Sequence, residues 1–335
     1  MKRVFITGAT GFLGSNLAKK LATQGHQVTA SGRNLAKGQD LKNLGIDFIS
    51  LDLSQKESFK SLGKDFDWVF HCAALSSPWG SYQDFFKANV LATQNILEHF
   101  ANDNNIERLI YVSSPSVYTD LEDKLNIKED SALPKINLNH YIKTKKMCEI
   151  LVDRYVKEFK MPVITIRPQG IIGPGDPSIF PRLLKIAQKG FLPKIGKGKT
   201  TLDLTYIDNV VHGLICAAQA DSKYLGEKYN ITNDEPIELY STLEKIMAEL
   251  DIKFKWKNLS QRKALFIGRT LENVFSLLPK RFEPPLTRYS VCTLAFNRTL
   301  DLTKAKNELN YKPIVSMHKA LELSVLNMKK DLQGG

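Results

Sequence analysis

The sequence predicts an α/β protein: a doubly wound parallel sheet followed by a smaller C-terminal α+β lobe. Two observations predict it. In the first half, short apolar runs rich in β-branched residues alternate with amphipathic stretches, the pattern of parallel strands covered on both faces by helices. A glycine triplet also stands at the first strand-to-helix junction, within "ITGATGFLGSNLAKKL" (6–21). Because strand–helix–strand crossovers are right-handed, such a chain winds its helices onto both faces of one sheet, a Rossmann-type arrangement.

Taken in order, strands are expected at 3–7, 27–31, 47–51, 68–72, 108–113 and 163–167, with amphipathic helical segments between them such as 13–24 and 83–100. After Arg167-Pro168 the texture changes. "GIIGPGDPS" is a Gly/Pro loop, and "PKIGKGKTTLDLTYID" reads as two short strands joined by a turn. Helical patterns follow at 207–220, 239–250 and 261–278, with short strands between. The expected division is 1–168 for the sheet and 169–335 for a lobe over its carboxyl edge, with some later segments returning to the sheet.

The 335 residues are 43% hydrophobic and 24% charged, enough for a sizeable core and unlike a disordered chain. The net charge is +12, from 47 Lys+Arg against 35 Asp+Glu, with the lysines spread rather than blocked. That balance points to solubility and attraction for phosphate-bearing ligands; nucleic acid is not an expected partner. Cys72, Cys148, Cys216 and Cys292 match no metal or redox spacing, so no metal is expected. Met1-Lys2-Arg3 runs straight into the first strand without a secretory pattern, and no run of eighteen apolar residues occurs. A cytoplasmic location is the expectation.

At the glycine triplet, Gly8 permits a tight turn, Gly11 lets a pyrophosphate approach the backbone, and Gly14 allows close helix–strand packing. Thr10, Phe12 and Leu13 complete this loop and are expected cofactor contacts. A purely structural turn is the competing reading. The position between a strand and an opening helix favours a dinucleotide. NAD sites usually carry an acid about twenty residues further on, for the ribose hydroxyls. Here that place reads Ser31-Gly32-Arg33-Asn34, with no carboxylate and a guanidinium suited to a 2′-phosphate. NADP(H) is therefore favoured, with NAD(H) as the alternative. Asp52 and Leu53 are placed for the adenine, and Ala73 and Ala74 of "HCAAL" leave room for the cofactor backbone.

The fifth strand ends in Ser113 and Ser114, where a parallel sheet faces its ligand crevice. Tyr141 and Lys145 follow at i and i+4, on one face of the next helix. An ammonium beside a phenol stabilises the phenolate, which suits proton exchange with a carbonyl oxygen. In isolation such a pair is a wet helix face; behind the glycine loop and the serines it reads as a catalytic pair.

Thr7-Gly8-x-x-Gly11-x-x-Gly14, "YVSSPSVY", "YIKTK" and "IRPQGIIGPGD" together resemble the extended short-chain dehydrogenase/reductases, the NAD-dependent epimerase/dehydratase group, over nearly the whole chain. The resemblance implies that Ser114 polarises the substrate oxygen, Tyr141 is the general acid/base, and Lys145 binds the nicotinamide ribose and tunes the tyrosine. It also implies that Pro168 and Ile171 line the nicotinamide and that Asn89 lies on the helix after the fourth strand. Thr119 departs from the family, where glycine is common after "VY". Three stretches look closest to the 3β-hydroxysteroid dehydrogenase-like branch: 74–90, 200–211 and 283–313. They are similar to bacterial 2-alkyl-3-oxoalkanoate reductases and sterol-4-carboxylate 3-dehydrogenases.

The implied function is NAD(P)-dependent interconversion of a ketone and a secondary alcohol on a small hydrophobic substrate, 3-oxoacid-like or steroid-like. A nucleotide-sugar epimerase or dehydratase is the alternative, and a non-catalytic dinucleotide sensor the more distant rival. By analogy a homodimer is expected, through 83–100 and 139–160. In 261–282, apolar residues at 264, 267, 271, 274, 275 and 278 form a stripe flanked by Arg262, Lys263, Arg269, Lys280 and Arg281. Packing on the core as a lid is the expected role, with peripheral contact to an anionic membrane as the alternative.

Overall fold

The computed structural model describes residues 1–101, 105–279 and 282–333. β1 (Arg3–Thr7), α1 (Phe12–Thr23), β2 (Gln27–Gly32), α2 (Leu35–Asn43), β3 (Asp47–Ser50) and β4 (Trp68–His71) come first. The return to β5 (Arg108–Val112) runs through α3 (Tyr82–Phe85), a π-helical stretch (Phe86–Leu91) and α4 (Ala92–Phe100). β6 (Lys124–Ile127), α5 (His140–Phe159) and β7 (Val163–Pro168) follow.

Beyond Pro168 come β8 (Ile171–Ile172), α6 (Phe180–Ala187), β9 (Phe191–Ile195), β10 (Thr201–Leu202), β11 (Thr205–Tyr206) and α7 (Ile207–Gln219). They are succeeded by β12 (Lys228–Ile231), β13 (Ile237–Glu238), α8 (Leu239–Glu249), β14 (Lys255–Leu259) and α9 (Gln261–Ser276). α10 (Arg288–Ala295), β15 (Arg298–Leu300), α11 (Thr303–Glu308) and α12 (Met317–Gln333) complete the order.

Among the described residues the central sheet has seven strands, in the order β12-β7-β5-β4-β1-β2-β3, all parallel. The fold is thus the doubly wound one the alternating pattern predicts. The chain reverses its direction of sheet growth between β1 and β4, which opens a crevice outside their carboxyl ends. One core layer joins Val4, Ile6, Leu17, Phe70 and Ile110 to Leu214, Tyr229 and Ile231, so α7 and β12 return from the C-terminal half to the sheet. The opposite layer packs Phe5, Val69 and Tyr111 against Ile96, Phe100, Cys148 and Val152 of α4 and α5. The remaining C-terminal elements build their own apolar cluster around Leu192, Leu204, Tyr206, Leu243 and Met247.

Three expectations need correction. Residues 193–208 hold parts of three short strands, β9, β10 and β11, where two joined by a turn are expected, and the three do not pair with one another. β9 pairs in parallel with β14, β10 pairs with β13 and β15, and β11 pairs with β8. Each short edge finds a partner distant in sequence, which local turn signals cannot register. The 83–100 helix is not regular either: its middle widens into a π turn that carries Asn89, a distortion typical of functional positions.

The third correction concerns α9. The face it buries is Ala264, Gly268 and Glu272, while Ile267, Val274 and Leu278 of the expected stripe are exposed, together with Phe266 and Leu277. Gly268 decides this, because a Cβ there would stand 3.0 Å from the Arg288 backbone nitrogen and 3.1 Å from the Thr287 carbonyl carbon. The helix therefore meets α10 backbone-close on its small-residue side. Lys280 and Arg281 lie outside the described residues.

Candidate functional site

At the crevice, β1 stops at Thr7 and Gly8 turns with φ +69°. A Cβ on Gly8 would lie 2.7 Å from the Ala73 Cα, so the strand end after β4 presses directly on the loop. A Cβ on Gly14 would lie 2.4 Å from the Gly8 carbonyl oxygen. Gly11 caps α1 without any side-chain hydrogen bond, and no acid sits in the first turn. An uncapped helix N-terminus beside a close-packed glycine turn is the arrangement that receives a diphosphate. The residues present thus fit a dinucleotide. Thr10 packs over Gly32 of β2, whereas Phe12 and Leu13 lean on the C-terminal apolar cluster. Ala73 is half-buried and Ala74 exposed at the crevice edge.

Beneath the loop, the Thr7 hydroxyl contacts His71 Nδ1 at 2.8 Å and accepts the Ala73 N–H at 3.2 Å. His71 Nε2 meets the Thr93 hydroxyl at 3.0 Å. Burial, and then the charge of Lys145, push the imidazole down to about 3, so it is neutral here.

Just past β2, Arg33 is exposed and makes no ion pair among the described residues, while Asn34 is spent capping α2 through the Lys37 N–H at 3.1 Å. Asp52 is also exposed; its carboxylate accepts the Ser54 N–H at 3.0 Å and hydroxyl at 2.9 Å. Leu53 is buried, and its carbonyl accepts Asn95 Nδ2 at 2.8 Å.

Tyr141 and Lys145 lie in the first two turns of α5, which Asn139 caps by accepting the Ile142 N–H at 2.9 Å. Both residues are buried. The Lys145 ammonium donates to the Val112 carbonyl at 2.7 Å and to the Tyr111 hydroxyl at 3.3 Å. It is thereby fixed at the end of β5, directly before Ser113 and Ser114. These hydrogen bonds run to the strand, not to Tyr141, whose ring packs near Phe85 at 6.3 Å between centroids. Ser114 opens a short 3₁₀ turn, its Oγ accepting the Ser116 N–H at 3.2 Å. Asn89 accepts the Leu75 N–H at 2.7 Å and donates to the Thr144 hydroxyl at 3.0 Å. It therefore ties the loop after β4 to α5.

Sequence reasoning passed over the brace behind these groups. Ser113 donates to Glu149 Oε1 at 2.5 Å, and Glu149 receives Arg167 through Nε at 2.9 Å and Nη2 at 2.5 Å. Arg167 continues to the Tyr118 hydroxyl, which donates to Asn230 Oδ1 at 3.0 Å. Burial raises the Tyr118 phenol to about 12 despite the guanidinium beside it. The available signal was spacing: Glu149 stands one further i+4 step along the Tyr141–Lys145 face.

Pro168 ends β7 in register with Ile231, and half-buried Ile171 begins β8 beside Thr205. On the lobe side, a cavity of about 410 Å³ is lined by Trp79, Phe85, Leu138, His140, Glu272 and Arg288, among others. Burial pushes the nearby Tyr289 phenol up to about 12, and Tyr141 and Arg298 both act on it electrostatically. Arg298 is 6% exposed, and neither its Nε nor its Nη2 finds an acceptor among the described residues.

Comparison with known proteins identifies the family and matches the fold. The sequence profile of the NAD dependent epimerase/dehydratase family matches residues 4–232. The chain is 35% identical to the uncharacterized protein YbjS of Escherichia coli, with 96% of each covered. It is 31% identical to a 2-alkyl-3-oxoalkanoate reductase of Shewanella oneidensis, covering 96% of this chain and 85% of that one. A mouse sterol-4-alpha-carboxylate 3-dehydrogenase (decarboxylating) is 29% identical over 97% of this chain and 90% of its own. Among solved structures, UDP-glucuronic acid 4-epimerase from Bacillus cereus in complex with NAD superposes with a TM-score of 0.74. It is 27% identical, with 98% of this chain and 99% of that chain covered.

Proposed function

The chain belongs to the NAD dependent epimerase/dehydratase family, the extended short-chain dehydrogenase/reductases, and on that premise we propose that it is an NADP(H)-dependent ketoreductase of hydrophobic 3-oxo compounds. The single observation that carries the catalytic reading is the placement of Lys145. Its ammonium is fixed on the Val112 carbonyl at the end of β5, two residues before Ser114 in the chain, and stands one helical turn after Tyr141.

In this reading the Tyr141 hydroxyl gives its proton to the substrate carbonyl oxygen as the alcohol forms, and takes it back in the reverse direction. Ser114 Oγ donates a hydrogen bond to the same oxygen as negative charge develops there. Lys145 stabilises the phenolate left on Tyr141 and holds the nicotinamide ribose. The nicotinamide cofactor, when bound, supplies or accepts the hydride. Gly8, Gly11 and Gly14 bring backbone to the diphosphate, and Arg33 takes the 2′-phosphate. Asn89 fixes the 73–75 segment that the cofactor passes.

The relatives' names support the substrate class, since two of them act on oxoalkanoates and on sterol carboxylates. A homodimer through the α4–α5 side fits the exposure of Ile150 and Phe159 on α5. A nucleotide-sugar epimerase or dehydratase is the second reading, favoured by the buried Arg298 guanidinium, which suits an anionic ligand group.

Cofactor oxidation with NADPH and NADH in parallel, against 3-oxo acids, ketosteroids and nucleotide sugars, separates the two. Net NADPH consumption with 3-oxo acids is expected. Turnover of nucleotide sugars alone, without net consumption, would overturn the reductase reading. Tyr141→Phe should lower kcat by at least about 10²-fold with cofactor affinity retained; unchanged turnover would sink the mechanism.

A further inference from the structure

Helix α9 presents an exposed apolar face that nothing in the described chain covers. Phe266 is 72% exposed, Leu277 at its end 87%, Val274 50% and Ile267 38%. At helical spacing these side chains share one arc. The arc cannot be turned inward, because the opposite side is locked to α10. Gly268 lies against the backbone of Thr287 and Arg288, and Glu272 accepts the Arg288 N–H and Nε, both at 2.7 Å.

Charge selects the occupant. Arg262, Lys263 and Arg269 are exposed along this arc or at its edge, and none makes an ion pair among the described residues. The helix's acid, Glu272, is turned inward onto Arg288. A second copy meeting this face through a two-fold axis would set like charges against one another. An anionic surface with an apolar layer beneath satisfies both the cations and the hydrophobic arc. The same helix supplies Glu272 and Asn273 to the wall of the 410 Å³ cavity.

We infer that α9 is the docking surface by which the protein binds the face of an anionic lipid bilayer, peripherally and without crossing it. No helix among the described residues is long and apolar enough to cross a membrane.

The test is co-sedimentation of the full chain with vesicles, without substrate or cofactor, so that its failure is separate from failure of the ketoreductase reading. Vesicles of phosphatidylcholine mixed with phosphatidylglycerol should bind the protein, with affinity falling as salt rises, and vesicles of phosphatidylcholine alone should bind it far more weakly. Phe266→Ser with Leu277→Ser, and separately Arg262→Gln with Lys263→Gln and Arg269→Gln, should each weaken binding by more than about tenfold. Both sets alter exposed side chains, so thermal melting should stay as in the parent. Equal binding to both vesicle types overturns the inference, as does unchanged binding by either variant. So does a dimer in sedimentation velocity that the Phe266→Ser, Leu277→Ser pair splits while vesicles bind nothing.

Discussion

At the scale of single residues, Glu149 and Arg167 form a buried ion pair, 4% and 2% exposed, that holds Ser113 and lies along the Tyr141–Lys145 face of α5. Removing one partner leaves the other charge buried and unpaired. Glu149→Gln should therefore cost about 3–5 kcal/mol, read as a lowered denaturation midpoint, and Glu149→Gln with Arg167→Met should recover part of it. If the single variant is as stable as the parent, the brace is not the anchor described here. Arg33 offers a second check. Arg33→Ala should raise the KM for NADPH several-fold and leave that for NADH nearly unchanged, as steady-state kinetics would record; equal effects on both would remove the 2′-phosphate role. The places of Tyr141 and Lys145 on one face of α5, and of Ser114 just past β5, were legible from spacing and strand pattern. Glu149 shares that spacing but has no meaning until Arg167, on β7, is folded against it.

At the scale of elements, the glycine loop and α1 are packed against each other as closely as backbone allows. Gly14→Ala would place a methyl at 2.4 Å from the Gly8 carbonyl oxygen, so loop and helix must separate. The expected result is loss of NADPH binding by fluorescence titration, with much of the sheet still folded by circular dichroism. Full binding by this variant would show that the close approach is not needed. Asn139→Ala removes the cap of α5 and should cost about 1 kcal/mol. The long regular elements were readable from period alone, within a residue or two: β1, α1, β7, α7 and α8. The π turn at Asn89 and the parallel pairing of β9 with β14 were not, because local periodicity does not encode them. The π turn carries Asn89, whose side chain bonds Leu75 and Thr144, groups outside its own helix, and the pairing joins segments far apart in the chain.

At the scale of the whole molecule, the C-terminal sheet is sensitive to pH through Asp203. Its carboxyl, buried beside β10, accepts the Leu300 N–H at 2.7 Å, yet burial raises it from 3.8 to about 6. The folded state therefore holds this proton more tightly than the unfolded chain. The group's contribution to stability is full below 3.8 and is lost as pH rises through 6. Asp203→Asn removes the cost of burying the anion and should stabilise the protein at pH 8 by up to about 3 kcal/mol, with the gap closing near pH 4. Thermal melts of both proteins at the two pH values check this; a gap that is the same at both would refute it. By itself, the sequence determined the sheet class, the glycine loop, the strand-end serines and the Tyr141–Lys145 face. All of these rest on residue period and spacing, which act within one or two neighbouring elements. Only the tertiary structure decided that Glu149 meets Arg167, that Nε and Nη2 of Arg298 are buried with no acceptor among the described residues, and that α9 turns its apolar arc outward. Those outcomes depend on which distant surface covers each side of an element, and for α9 the choice came from one glycine, Gly268, that let α10 approach from the other side.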